Sequence, residues 1–436
     1  YLAAMWVEKG WRVTATRRKW VLGIPLASIC ICIAYLAIDE RPIRNDYTLS
    51  DLPVCPKDAE TSYNTLMTFS ELVERYEALA TNDITHQNFF QKPWESSDIG
   101  SFADEIEKAW TRIEDGRRII AKLDAYSAIA DLNTPLSTNW NADIFMPYRL
   151  IAYTYWTYCE LKTQQGDFVE AAQNLAQLHS TTRKGMPYSR SLARNIIGIA
   201  IMNANIKAAR SLLTRAKDDS RTLDILASAF APLKQDEITL RPTFIFEYLR
   251  TKHVIQTASS SDLIGYFTIT YVNRQEHNRP SLLRYYYLFV DALLFNRNAT
   301  TRLIKTYYDA VIEGVSHSPP QIPRREEWIE NHLPMVQVEP PYGKYSIRKY
   351  VIKNPIGLQL LTQIIADNLA VQVVSKAKVN SDMLAMEISR RQGGSLMLKD
   401  YFSDGNYVIE DKTGIIVSAG PDGRIGTEDD LRSDKM

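Results

Sequence analysis

The residues best suited to chemistry lie close to the C-terminus, in the run SAGPDGRIGTEDDL at 418–431. Calcium takes roughly six to eight oxygen ligands, and this run offers the carboxylates of Asp422, Asp429 and Asp430, the hydroxyls of Ser418 and Thr427, and loop carbonyls. Gly420, Gly423 and Gly426 permit the positive φ angles that a tight loop around an ion demands. The pattern is not an EF-hand: Arg424 and Gly426 stand where further oxygen ligands would follow Asp422, and no glutamate closes the loop at the twelfth position. A solvated acidic tail punctuated by turn residues is the plainer alternative.

Elsewhere the sequence offers no catalytic constellation. It contains no H-E-x-x-H, no C-x-x-C, no G-x-S-x-G and no phosphate-cradling glycine loop. His86, His179, His253, His277, His317 and His332 are scattered without metal-ligand spacing, so each is expected at the surface or with its hydrogen bonds satisfied. Glu105 with Glu107, and Glu114 with Asp115, lie among lysines and arginines and read as solvated ion-pair faces. The expectation is a chain without enzymatic activity. A hydrolase of envelope material with a dispersed active site is the alternative from the enzyme class. Lys plus Arg and Asp plus Glu both total 51, so no net field draws the chain onto nucleic acid, and no basic patch clusters to do so locally.

Helices must position the tail. SFADEIEKAWTRIEDGRRIIAKL opens on Ser101 as an N-cap, carries Asp104 and Glu105 in its first turn, and lines Phe102, Ile106, Ile113, Ile120 and Leu123 along one stripe. Met146, Leu150, Tyr153, Thr157 and Leu161 share a second face. The period breaks at Gly166-Asp167, then Phe168, Ala171, Leu175 and Leu178 resume it, which predicts a helical hairpin. Its GDFVEAA turn resembles the turn of a tetratricopeptide repeat and implies stacked hairpins packed in that way, although no second copy follows at a period of about 34 residues. Further helices are predicted near 187–215, 236–257 and 280–314. Pro319, Pro320, Pro323, Pro334, Pro340 and Pro341 then predict a long irregular connection. One long helix follows from Lys353 to Gln392, ended by Gly393-Gly394, and strands at 407–410 and 414–418 form a hairpin across Asp411, Lys412 and Thr413.

The order of long helix, hairpin, S-x-G-x-D-G, G-T and acidic residues resembles the C-terminal end of the major pseudopilins of type II secretion. Ser418, Gly420, Asp422, Gly423, Gly426, Thr427, Asp429 and Asp430 occupy the matching places. The resemblance implies a small sheet beside the helix and a calcium-binding loop. The layout as a whole is similar to that of uncharacterised bacterial membrane-anchored proteins that join an anchor and a helical domain to such an end. Pseudopilins, however, place their apolar helix directly after a processing site, and no such motif precedes the apolar run here.

That run, WVLGIPLASICICIAYLAI from Trp20 to Ile38, contains no charged residue. At about 1.5 Å per residue it spans roughly the 30 Å hydrocarbon layer. Trp20 and Tyr35 suit the interfaces, and Arg12, Arg17, Arg18 and Lys19 place the N-terminus inside. A processed export signal is the alternative, and both readings export the remainder. Cys30 and Cys32 read as small hydrophobes within the run, whereas Cys55 and Cys159 read either as two buried thiols or as one disulfide.

The expected fold is therefore mainly α with a small C-terminal α+β module. Residues 1–19 form a cytoplasmic basic segment, 20–38 a transmembrane helix, 39–60 a spacer, 61–315 a helical domain, 316–348 a proline-rich connection, and 349–436 the long helix, β-hairpin and acidic tail. The expected role is a scaffold of the bacterial inner membrane that meets a protein partner on the extracytoplasmic side. A component of a type II secretion or pilus-like assembly is the alternative.

Overall fold

The break in period at Gly166 sets the helical architecture. A computed structural model describes residues 41–53, 100, 103–112, 146–217, 219–257, 296–324, 327–328, 331, 337–339, 344–346 and 368–435. Helix α1 spans Ala103–Arg112, α2 Met146–Gln165 and α3 Phe168–Gly185. Gly166 adopts φ 88°, a left-handed conformation that suits glycine, and so ends α2 and turns the chain back. Tyr158 Oη donates to Glu170 at 2.7 Å and Tyr155 Oη to Gln177 at 3.3 Å, pairings that fit two antiparallel helices. Trp110 of α1 stacks on Tyr158 at 3.9 Å and meets Tyr155 edge-on, which closes the first layer with aromatic area.

Helix α4 (Leu192–Ala216) packs against both members of this hairpin, and α5 (Ser220–Ala229) against α3. Asp219 caps α5 by accepting from the Thr222 amide at 3.1 Å, a contact worth about 1 kcal/mol. Ile106, Trp156, Leu161, Leu175, Leu178, Ile201, Leu212 and Leu226 form one buried core together with Leu384 and Ile388. Helix α6 spans Arg241–Thr257 and α7 Arg297–Gly314. Arg183 of α3 grips the segment before α6, donating to both carboxylate oxygens of Glu237 and to the carbonyls of Ala231 and Pro232.

Strands β1 (Gln337–Glu339) and β2 (Lys344–Ser346) pair antiparallel within the stretch expected to be an irregular connection. The long helix α8 is described over Asn368–Arg391 and ends at Gly393, φ 76°. Beyond it β3 (Val408–Ile409), β4 (Ile416–Ser418) and β5 (Leu431–Arg432) form an antiparallel sheet in the order β3-β4-β5. The expected hairpin is thus two of three strands. Val379, Met383 and Met386 of α8 pack beneath this sheet with Tyr401, Tyr407 and Ile416, while Leu384 and Ile388 face the helical core. One helix therefore serves as a wall for both layers, and almost all of its side chains from Ala377 to Ile388 are buried.

Residues 47–253, 308–324 and 366–436 form one unit, so the long helix and sheet belong with the helical stack. The described residues within 41–46, 254–257, 296–307 and 327–346 belong to the other, in which Arg297 donates to the Ile255 carbonyl at 2.7 Å and Tyr307 meets Trp328 edge-on. Residues 47–53 of the expected spacer are also built into the first unit, with Leu52 buried and Tyr47 edge-on to Tyr248 at 5.8 Å. The anchor at 20–38, with Cys30 and Cys32, lies outside the described residues, as does Cys55, and with it the choice between two thiols and a disulfide to Cys159. Among the described residues, Asn195–Ala216 of α4 is long and apolar enough to cross a membrane by length and composition. Asn205 and Asn203 within it bond to Trp156 and Asn380, as in a helix packed inside a protein core.

Candidate functional site

The tail residues occupy the connection between β4 and β5, residues 419–430. The Ser418–Leu431 pair of the ladder fixes its two ends side by side. Gly420 takes φ 64°, and a Cβ there would overlap the Asp429 carbonyl, so glycine allows the two arms of the loop to meet. The Asp422 amide donates to Asp429 Oδ2 at 2.9 Å, the Arg424 amide to Asp422 Oδ1 at 2.8 Å, and the Gly426 amide to Asp430 Oδ2 at 2.8 Å. Thr427 Oγ1 donates to Asp429 Oδ1 at 2.7 Å, with Arg424 O and Asp430 Oδ1 farther off at 3.1 and 3.4 Å. The hydroxyl of Thr427 and then the Asp422 amide hold the Asp429 carboxyl below its ordinary pKa, which keeps it anionic.

Four of the five expected ligands, Asp422, Thr427, Asp429 and Asp430, thus share one hydrogen-bonded loop. Ser418 does not join them. It is fully buried on β4, and its Oγ donates to Asp400 Oδ1 at 2.7 Å. Asp400 also accepts from the Ala419 amide at 2.7 Å and the Phe402 amide at 3.1 Å, and is itself 2% exposed. This buried carboxylate, which the sequence reading passed over, ties the root of the loop to the segment after α8. Its only signal in the sequence is a lone aspartate beside two aromatic residues, Tyr401 and Phe402.

As a calcium site the loop supplies the right donor types, and Asp429 is ionised as a ligand must be. Among the described residues, however, no three acidic or imidazole groups converge on one point as metal ligands. The loop carboxylates instead accept their own amides, so an entering cation has to draw them away from those donors. A buried carboxylate on the sheet's underside adds no ligand: Asp382 of α8 accepts from Lys378 Nζ at 2.6 Å and from Tyr407 Oη at 3.1 Å. Burial raises its pKa, and the Lys378 ammonium opposes the rise.

Other described titratable groups make contacts within the fold. Glu107 pairs with Lys162 at 3.2 Å, as an ion-pair face should. Glu160 is buried, which raises its pKa against the opposing charge of its partner Arg215. His179 departs from expectation: it is wholly buried, stacks on Phe230 at 4.1 Å, and neither ring nitrogen has a hydrogen-bond partner. His86, His277 and His332 lie outside the described residues. Comparison with protein-family models, curated protein sequences and solved structures finds no match to this chain.

Proposed function

We propose that this chain is a membrane-tethered interaction protein, anchored in the bacterial inner membrane by Trp20–Ile38, with its helical stack turned to an extracytoplasmic partner. In this reading the helical hairpins pack as in tetratricopeptide repeats, and the loop at 419–430 takes up calcium. The observation that supports the reading is the placement of the loop. It is rooted through buried Asp400 in a sheet that shares α8 with the helical stack, so an ion bound there stabilises the recognition surface as well. Asp422, Asp429, Asp430 and Thr427 provide the side-chain ligands, and Ser418 orients the loop rather than the ion.

Calorimetry of the full chain with calcium chloride tests this directly. Wild type should give a saturable heat that Asp422→Ala and Asp429→Asn reduce. Equal heats in all three proteins would remove the ion from the proposal. Cross-linking in intact cells tests the partner, and recovery of the chain alone would count against a scaffold. The second reading, a component of a type II secretion or pilus-like assembly, is favoured by the sequence of α8, antiparallel sheet and glycine-rich acidic loop. It requires secretion-machinery subunits among the cross-linked products.

A further inference from the structure

The segment 230–240, between α5 and α6, lies across α3 as a strap. Its Phe230, Leu233, Ile238 and Leu240 are buried, and two residues of α3, one helical turn apart, hold it. Arg183 donates to the carbonyls of Ala231 and Pro232 at 2.7 and 2.9 Å, and to the two oxygens of Glu237 at 2.6 and 2.7 Å. His179 stacks on Phe230 at 4.1 Å. Its ring is wholly buried, and among the described residues neither of its nitrogens has a hydrogen-bond partner.

A neutral imidazole fits that position, whereas an imidazolium brings two N–H donors and a charge to a place without an acceptor. Stacking on Phe230 offsets only part of that penalty. Burial first, and the neighbouring Arg183 charge second, therefore hold the ring neutral and its pKa below the ordinary value. The charged groups on the elements packed against α3 bring no relief. On α2, Glu160 pairs with Arg215 of α4 and Lys162 with Glu107, while Arg210 of α4 lies beside Glu387. On α5, Asp219 caps the helix and Asp224 accepts from Gln392. Lys184 of α3, Lys207 of α4, Arg221 of α5, and Lys234 and Asp236 of the strap are exposed. Burial raises the Glu237 pKa, but hydrogen bonds from Arg183 and the Lys234 amide outweigh it and hold the carboxyl below its ordinary value, so it stays ionised at pH 5.

We propose that this strap is an acid-released clasp, in which protonation of His179 parts Phe230 from α3 and frees segment 230–240 to open. Opening uncovers the ring, which in water takes a proton at its ordinary pKa of about 6.5. Closure is therefore fully stable above that pH and weakens as pH falls, and the open fraction at pH 5 is about 25 times that at pH 7. The proposal is independent of the calcium loop. Hydrogen exchange of the full chain, corrected for the intrinsic pH dependence of exchange, reads it at the Phe230 and Ile238 amides, which bond to Leu226 O and Gln235 O. Wild type should show a rise of about 25-fold between pH 7 and pH 5 at these amides, while amides in the middle of α2 and α8 stay within about threefold. His179→Phe keeps a stacked ring without the proton site and should remove the rise. His179→Gln, a second neutral side chain, should remove it too. A wild-type change below about threefold, a full rise retained in either variant, or equal acceleration in α2 and α8 would each overturn the proposal, the last by making the opening global.

Discussion

Truncating Asp400 to alanine should loosen the root of the acidic loop without dismantling the helical stack. The Asp400 carboxylate accepts three hydrogen bonds, two of them at 2.7 Å from the Ser418 hydroxyl and the Ala419 amide. Both donors are buried, at 0% and 1% exposure, so neither meets water when the acceptor is removed. A buried donor left without a partner costs about 1–3 kcal/mol, and relaxation of the loop returns part of the sum. The expected loss is about 3 kcal/mol, confined to opening of the loop and its flanking strands. Hydrogen exchange at the Ala419 amide reads this locally. A change of that size accelerates exchange on the order of a hundredfold, while amides in the middle of α3 and α4 keep their wild-type rates. Asp400→Asn, which keeps one acceptor oxygen, should fall between the two. If the Ala419 amide of Asp400→Ala exchanged within about threefold of wild type, the carboxylate would not be what secures the loop.

Three further outcomes follow from particular contacts. Burial holds the His179 imidazole at a pKa of about 3, below its unfolded value of about 6.5, so its contribution to stability is full above 6.5 and is lost as pH falls toward 3. The slope reaches about 1.4 kcal/mol per pH unit. His179→Phe should flatten it, and identical urea midpoints for the two proteins at pH 7 and again at pH 5 would contradict the buried neutral ring. Gly420→Ala places a Cβ against the Asp429 carbonyl at a positive φ and should destabilise the loop by about 1–3 kcal/mol, seen as faster exchange at the Asp422 amide. Arg183→Ala removes a two-bond grip on Glu237 and two carbonyl contacts by a side chain only 13% exposed, and should cost about 3 kcal/mol in chemical denaturation. A double-mutant cycle with Glu237→Ala should show coupling, and strict additivity would rule out the pair as the source.

Where a feature was local, the chain declared it. Gly166 marks a turn because a left-handed backbone follows from glycine at that point, and Gly393 ends α8 for the same reason. The β3–β4 hairpin was legible from short apolar runs around a polar turn. Strand β5 was not, since Leu431-Arg432 has no pattern of its own and becomes a strand only by pairing with Val417 and Ser418. Helix α5 was missed likewise, being a short segment whose Leu223 and Leu226 gain meaning only against α3. The loop residues were found by type and spacing, yet Ser418 was grouped with the ion ligands because sequence proximity says nothing about which face of β4 a hydroxyl occupies.

The sequence by itself determined the local punctuation of this protein: its helical periods, its glycine turns, the charge-free run at Trp20–Ile38 and the acidic loop chemistry. These depend on neighbouring residues and on backbone conformations that one residue type permits. Only the tertiary structure decided that α8 would be shared by the helical stack and the sheet, that Asp400 would hold Ser418, and that Arg390 and Arg391 would be aligned by carbonyls distant in sequence. Such contacts are selected by packing and by the satisfaction of buried polar groups, and both are properties of the assembled fold.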